Sequence, residues 1–206
     1  SQICWLDSGE ADAKILVEDN GNFRWVDNTL LAAFRVPKKY HQGFLKPGSD
    51  FSVTCHVNTN KTASNAFEGY DIPWIDARIT PLLVKLRNWQ IKYNPLNKPT
   101  EWSKGVKIEN QRTLNKYGYK GKTCFLFRDP TAQKGLPLTQ SKLSSGFAGI
   151  LYLIQDEDLP LVVPKKGKID TNSLSNLQPL FTLHSMRVSL ITAFIRDAKI
   201  GTGLKF

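Results

Sequence analysis

The segment Phe51-Ser-Val-Thr-Cys-His-Val57 is rich in β-branched and aromatic residues and alternates in part between apolar and polar side chains. A second extended piece, Gly69-Tyr-Asp-Ile-Pro-Trp74, follows the turn-rich stretch Asn58-Thr-Asn-Lys-Thr-Ala-Ser-Asn65. Together these segments predict a β-hairpin whose polar tip carries Lys61. Because Pro73 has no N–H group to donate, the second strand is expected to lie at an edge of its sheet or to end there.

The pattern becomes helical from residue 80 onward. Pro81 suits the first turn of a helix, and the helix is expected to end before Asn94-Pro95. The large apolar side chains at helical spacing are Leu82, Leu83, Leu86 and Trp89. This spacing predicts a helix that packs one apolar face against a core.

Two further helices are predicted, over residues 139–154 and 182–198. Thr182 is a plausible cap for the last helix and Gly201 a plausible stop. The apolar face expected on the helix at 139–154 comprises Leu143, Phe147, Ile150, Leu151 and Ile154. Taken together, the patterns predict an α+β fold that is mainly helical, with one small antiparallel sheet or hairpin in its N-terminal half.

Residues 94–123 form a long polar segment with a basic excess. Its cationic residues are Lys104, Lys107, Arg112, Lys116, Lys120 and Lys122. Trp102, Tyr117 and Tyr119 are interleaved with them. For any single residue a solvated connection is the favoured interpretation, but the segment as a whole is interpreted as a DNA-contacting loop or insertion.

The overall charge points in the same direction. Twenty-eight Lys and Arg residues outnumber eighteen Asp and Glu residues, which gives a net charge of +10 and a pI near 9.5. Basic side chains bind nucleic acid partly by releasing the counterions condensed on its phosphates. The charge therefore favours a polyanionic partner, although a merely well-solvated surface would also carry it.

Several functional classes lack support in the sequence. The three cysteines are odd in number and far apart, which argues against a disulfide framework and fits a reducing cytoplasm. The three histidines show no metal-ligand spacing. No apolar run is long enough to cross a bilayer, and the first ten residues do not have the pattern of a secretory signal. We therefore expect no metal site and no membrane partner.

His184 and Arg187 form the most chemically suggestive pair. They are three residues apart, so on a helix they project from the same face. Arg187 offers a planar fork of donors to two phosphate oxygens, and His184 can donate a hydrogen bond or move a proton. The pair suits phosphoryl transfer, but a His-x-x-Arg match alone also fits a structural histidine and a surface arginine.

The surrounding sequence strengthens this interpretation. The string Thr182-Leu-His184-Ser-Met-Arg187 resembles the His-x-x-Arg box of tyrosine recombinases, the phage-integrase family. The upstream lysine on a hairpin, the proline-containing turn and the Leu-rich helix also resemble that family in order and type. The segments that carry the resemblance are Asn58-Thr-Asn-Lys61-Thr62-Ala, Tyr70-Asp-Ile-Pro73-Trp, Pro81-Leu-Leu-Val-Lys-Leu86, Cys124-Phe-Leu-Phe127 and Leu136-Pro-Leu-Thr139.

The resemblance implies a function and a site. Residues 1–206 would form a single, incomplete catalytic domain that cleaves and rejoins double-stranded DNA through a 3′-phosphotyrosyl intermediate. Lys61 would protonate the leaving 5′-oxygen, Arg187 would stabilise charge on the phosphate, and His184 would assist. The family needs no cofactor, and the intact protein would act as a homo-multimer on DNA in the cytoplasm of a prokaryote, at the nucleoid.

Two departures from the family pattern stand out. The family's first catalytic arginine would fall just before Ser1, and its tyrosine nucleophile would lie beyond the His-x-x-Arg helix. All six tyrosines of this sequence precede His184. The chain as given is therefore expected to be a truncated catalytic domain that does not cleave DNA.

Two other functions remain open at this stage. One is a non-catalytic nucleic-acid-binding domain that relies on the basic segment and its aromatic residues. The other is a metal-dependent nuclease, which would need clustered carboxylates. Asp71, Asp76, Asp129 and the run Gln155-Asp-Glu-Asp158 show no such grouping in the sequence.

Overall fold

The structure is a computed structural model of the chain. It describes residues 2–29, 42–48, 52–58, 69–73, 75–105, 121–132, 135–167, 176–182, 185–186, 188–189 and 192–193. The chain divides into two compact units, Ser1–Thr139 and Gln140–Phe206. The assignment of residues 1–206 to one catalytic domain stays a prediction.

The first unit combines short strands with one α-helix. A 3₁₀ turn at Gln2–Trp5 opens it, and a second lies at Trp102–Gly105. The strands and the helix are β1 (Lys14–Asp19), β2 (Asn22–Asp27), β3 (Leu45–Pro47), β4 (Val53–Val57), β5 (Tyr70–Ile72), α1 (Ile79–Tyr93), β6 (Thr100–Glu101) and β7 (Lys122–Thr123).

Strands β1 and β2 form an antiparallel hairpin around a two-residue turn. Asn20 and Gly21 at that turn have φ angles of 52° and 80°. Tight hairpin turns whose twist matches the strands require positive φ at both central residues, which Asn-Gly tolerates best. The Asn20-Gly21 pair thus explains a hairpin that the sequence analysis did not predict.

Strands β3, β4 and β5 form a three-stranded antiparallel sheet in that order. Val57 pairs with Tyr70, so the predicted hairpin is confirmed. Strand β5 lies at the edge and ends immediately before Pro73, as expected of a strand followed by proline. Cys55 and Val57 are buried on the inner face of the sheet.

Helix α1 has the predicted extent but not the predicted inner face. Leu83 and Leu86 pack on the core, whereas Leu82 and Trp89 are 63% and 44% exposed. The fully buried positions include the polar residues Arg87 and Gln90. They face inward because Arg87 Nη2 donates to a main-chain carbonyl of β1, and Gln90 Nε2 donates to two carbonyls of residues 126–128. A buried main-chain carbonyl that cannot bond to water needs a hydrogen-bond donor of this kind.

A buried ion pair lies at the centre of the first unit. Arg128 Nη1 donates to Glu10 Oε1 at 2.5 Å, and both side chains are almost wholly excluded from solvent. The same guanidinium donates to the carbonyls of Phe125 and Asn94 at 3.1 and 3.2 Å. It thereby joins the turn after the first 3₁₀ element, the loop after β7 and the end of α1.

Two other buried carboxylates tie this turn to neighbouring segments. Asp7 accepts a hydrogen bond from the Thr123 hydroxyl at 2.5 Å. Asp12 accepts from the main-chain N–H groups of Gln42 and Gly43 at 2.9 and 2.7 Å. The Asp7–Asp12 segment therefore acts as an internal anchor rather than a solvated turn.

The second unit consists of α2 (Gln140–Ile154), β8 (Val162–Pro164) and β9 (Leu177–Pro179). The two strands pair antiparallel, and the helix covers them through a cluster around Leu151, Val162 and Leu177. The helix predicted over 139–154 is thus confirmed. Its Ile150 and Ile154 are 59% and 66% exposed, so its inner face is narrower than predicted.

The prediction of a mainly helical α+β fold with one small sheet is wrong. In the described parts of the chain, two α-helices of 15 residues each accompany nine strands in four small antiparallel sheets. The pairs β6–β7 and β8–β9 have only two or three residues per strand. Strands of two or three residues are too short to show an alternation of apolar and polar residues. Helical periodicity therefore dominated the sequence pattern.

Replacing Arg128 by Met is expected to lower the free energy of unfolding by about 3–5 kcal/mol, because Glu10 would remain buried without its partner. Urea denaturation followed by circular dichroism measures the change. Arg24→Met is the matched control, since the Arg24–Asp19 pair is 64% and 56% exposed, and it should shift stability by no more than about 0.5 kcal/mol. Equal losses in the two variants would contradict the assigned role of the buried pair.

Candidate functional site

The β4–β5 hairpin positions the first predicted site residue. Its last strand pair joins Val57 to Tyr70, so residues 58–69 connect the two strands on one end of the sheet. Lys61 belongs to this connection and lies outside the described residues. The described strands therefore define the two chain ends between which Lys61 lies in the sequence.

Three polar side chains meet on the outer face of the β3–β4–β5 sheet, one from each strand. Lys46 Nζ donates to Asp71 Oδ2 at 2.8 Å. His56 Nδ1 lies 2.6 Å from Asp71 Oδ1, within hydrogen-bond distance. We call Lys46, His56 and Asp71 the strand clasp, because together they bridge all three strands across the face opposite the core.

Charge in the strand clasp favours the ionised carboxylate. Hydrogen bonds from Lys46 and His56 lower the pKa of Asp71 below its ordinary value. Asp71 is about half exposed, with 50% of its side chain accessible. Exposed ion pairs contribute at most about 1 kcal/mol to stability. The clasp thus matters more for the geometry of the strands than for the stability of the fold.

The second predicted pair, His184 and Arg187, also lies outside the described residues. Their neighbours Ser185 and Met186 are helical, as are four later positions: Val188, Ser189, Thr192 and Ala193. The Ser185 N–H donates to the Thr182 hydroxyl at 3.0 Å, and the Thr182 N–H donates to Ser185 Oγ at 2.8 Å. This reciprocal cap confirms Thr182 as the helix start. The placement of His184 and Arg187 on one helical face stays a prediction.

Two of the six predicted DNA-contacting cations are described. Lys104 and Lys122 are both exposed, and Lys104 Nζ lies 3.7 Å from a Glu101 carboxylate oxygen. Strands β6 and β7 pair Glu101 with Lys122 and so bring the two ends of the basic segment together. The remaining four residues lie outside the described residues: Lys107, Arg112, Lys116 and Lys120.

Trp102 does not have the exposed position that the interleaved aromatic pattern implied. It is only 3% exposed and stacks on Trp5 with ring centroids 5.2 Å apart. Phe125 completes the cluster at 5.4 Å from Trp102. The aromatic side chain of Trp102 therefore belongs to the core of the first unit.

The strand clasp was not predicted from the sequence, although a signal for it was present. The predicted hairpin brackets residues 58–69, and pairing Val57 with Tyr70 places His56 directly opposite Asp71. Residues opposite each other on antiparallel strands have side chains close enough to interact. Building the register from the sequence would have identified this His–Asp pair, but not Lys46 on β3.

Metal sites and membrane-spanning helices are absent from the described residues. No group of three His, Cys, Asp or Glu side chains is arranged to hold a metal ion there. No helix in that part of the chain is long and apolar enough to cross a membrane. All three cysteines are described; they are buried and form no disulfide, and burial raises the pKa of Cys55 to about 11.

Comparison with known proteins places the chain in a family. The profile of the family described as "Putative integrase" matches residues 1–103, which is half of the chain. The chain belongs to this integrase family, and the membership indicates an integrase-like role in DNA recombination with DNA as the partner. Searches of curated proteins and of solved structures found no match.

Replacing Trp102 by Ala is expected to lower the free energy of unfolding by about 3–5 kcal/mol, because it empties a packed aromatic site. Trp89→Ala is the matched control, since Trp89 is 44% exposed on α1, and it should cost less than about 1 kcal/mol. Chemical denaturation followed by far-UV circular dichroism compares the two. If Trp102→Ala weakened DNA binding without loss of stability, Trp102 would be a ligand contact after all.

Proposed function

We propose that the protein is a tyrosine-type site-specific recombinase, which cuts and rejoins double-stranded DNA through a 3′-phosphotyrosyl intermediate. The observation that carries the proposal is the β4–β5 hairpin. It flanks Lys61 with two paired strands, and it lies within the residues matched by the integrase family. A lysine between two anchored strands suits a proton donor that must reach a leaving group.

In the proposed reaction, a tyrosine hydroxyl attacks the scissile phosphorus. A bond forms between phosphorus and the tyrosine oxygen, which releases its proton to solvent. The bond to the 5′-oxygen breaks, and the Lys61 ammonium transfers a proton to that oxygen. The 5′-hydroxyl of a partner strand then attacks the phosphotyrosine and releases the tyrosine. Each step exchanges one phosphoester bond for another, so no external energy source is required.

Arg187 and His184 would act on the same phosphate. The Arg187 guanidinium can hold two non-bridging oxygens and stabilise charge that develops on the phosphorus centre. His184 would donate a hydrogen bond or carry a proton. The reciprocal Thr182–Ser185 cap supports this assignment, because it fixes the start of the helix that is predicted to contain both residues.

The remaining elements of the proposal concern DNA and assembly. Residues 1–206 would contribute one catalytic domain, and the basic segment 94–123 would lie against the DNA backbone. The intact protein would work as a homo-multimer on paired sites, in the cytoplasm at the nucleoid. The exposed positions of Lys104 and Lys122 support DNA contact by the basic segment.

Lys61→Ala and Arg187→Ala in the full-length protein are each expected to slow DNA cleavage by about 10²- to 10³-fold, because each removes a group that acts in the transition state. DNA affinity should largely survive. Single-turnover formation of the covalent protein–DNA adduct measures cleavage, and gel shift measures binding. Lys14→Ala, which changes an exposed strand lysine, is the control. Wild-type cleavage by both variants would reject the proposed mechanism.

Lys104→Gln and Lys122→Gln are each expected to weaken DNA binding equally for all sequences. Each lost phosphate contact should reduce the slope of log affinity against log salt by about 0.9. Titrations at several salt concentrations, with Lys14→Gln as the control, measure this slope.

A non-catalytic nucleic-acid-binding domain predicts a different pattern. Neutralising Lys104, Lys107 and Lys116 would then abolish binding, while Arg187→Ala would change neither binding nor any DNA cleavage.

A further inference from the structure

The strand clasp lies at the end of the sheet from which the Lys61 connection departs. His56 is one residue from the last pair of β4, and Asp71 is one residue from the first pair of β5. These two residues are directly opposite each other in the register. The clasp therefore joins the two strands one position before they separate.

Close packing also holds this junction at Gly69. Gly69 directly precedes the first residue of β5. A Cβ atom added to Gly69 would lie 2.8 Å from both Cε1 and Nε2 of His56, and it would also collide with the Val57 carbonyl. The imidazole thus fills the space next to the returning chain. The His56 N–H also donates to the Phe44 carbonyl at 2.7 Å, so His56 is fixed by its backbone as well as by its ring.

Lys46 extends this arrangement to the third strand. Its ammonium group contacts the other oxygen of Asp71, so one carboxylate is held by donors from β3 and β4 at once. Cys55 and Val57 hold β4 from the core side. With both faces of the sheet fixed, the two chain ends at residues 58 and 69 have a defined separation and direction.

We infer that Lys46, His56 and Asp71 are positioning residues that set the reach of the Lys61 ammonium group toward the leaving 5′-oxygen. The inference rests on the proposed function of Lys61. Proton transfer requires donor and acceptor within hydrogen-bond reach, and a misplacement of about 1 Å can cost roughly 100-fold in rate. The strand clasp touches no DNA in this mechanism and acts only through the hairpin.

Asp71→Asn in the full-length protein tests the inference on two DNA substrates. One carries the natural 5′-oxygen at the scissile phosphate, and the other carries a bridging 5′-sulfur. A thiol has a pKa of about 8.5, whereas the pKa of an alcohol is several units higher, close to that of water. The sulfur therefore leaves without a proton donor. We expect cleavage of the oxygen substrate to fall about 10- to 100-fold, and cleavage of the sulfur substrate to stay near the wild-type rate.

Asp19→Asn is the matched control, because Asp19 is also an exposed strand carboxylate in an ion pair. It should cleave both substrates at wild-type rates. If Asp71→Asn is slowed equally on both substrates, or on neither, the positioning role is overturned. If Asp71→Asn proves unfolded by circular dichroism, His56→Gln replaces it with the same expected and contradicting outcomes.

Lys61→Ala separates this inference from the function beneath it. If the substrate with the bridging 5′-sulfur does not restore cleavage by the Lys61→Ala variant, Lys61 is not the proton donor and the proposed function of that residue fails. If sulfur restores Lys61→Ala but not Asp71→Asn, Lys61 keeps its role and only the positioning by the strand clasp is wrong.

Discussion

The ion pair between Glu10 and Arg128 is the contact on which the first unit depends. Both charges are buried, and removing two charges from water costs several kcal/mol for each ion. The pair is compensated by additional hydrogen bonds, from Ser8 Oγ to Glu10 and from Arg128 to two main-chain carbonyls. A pair of this kind contributes little net stability, yet it admits only one arrangement of the segments that meet around it.

The candidate site is connected to this centre by a short chain of hydrogen bonds. The Phe44 N–H donates to the Asp7 carbonyl, and the His56 N–H donates to the Phe44 carbonyl. Asp12 holds the preceding residues through the N–H groups of Gln42 and Gly43. Strand β3 is thus fixed to the buried turn, and β4 and β5 are fixed to β3. The sheet that flanks Lys61 is therefore held in position by the buried Asp7–Asp12 segment.

The sequence predicted the elements with strong local signals, and it did not predict the contacts between distant segments. The hairpin and α1 follow from alternation, Pro73 and Pro81, and they are confirmed. The burial of Arg87 follows instead from a carbonyl of Leu16, 71 residues away. Likewise, the carboxylates of the Asp7–Asp12 segment are, from the sequence alone, typical of a solvated turn. Their burial is understood only once Arg128 is known to lie among them. No local pattern contains that information. For the candidate site, the sequence predicted where the hairpin lies but not the strand clasp beneath it.

The buried carboxylates also alter what the net charge means. Four acidic residues are buried in the described part of the chain: Asp7, Glu10, Asp12 and Asp129. Only two basic residues, Arg87 and Arg128, are buried with them. The rest of the chain then holds 26 basic and 14 acidic residues, an excess of 12 rather than 10. Neutral donors hold the carboxylates that neither arginine contacts: the N–H groups of Gln42 and Gly43 hold Asp12, and the Thr123 hydroxyl holds Asp7. The fold therefore uses these acidic residues as internal hydrogen-bond acceptors, so fewer acidic side chains remain to oppose contact with DNA phosphates.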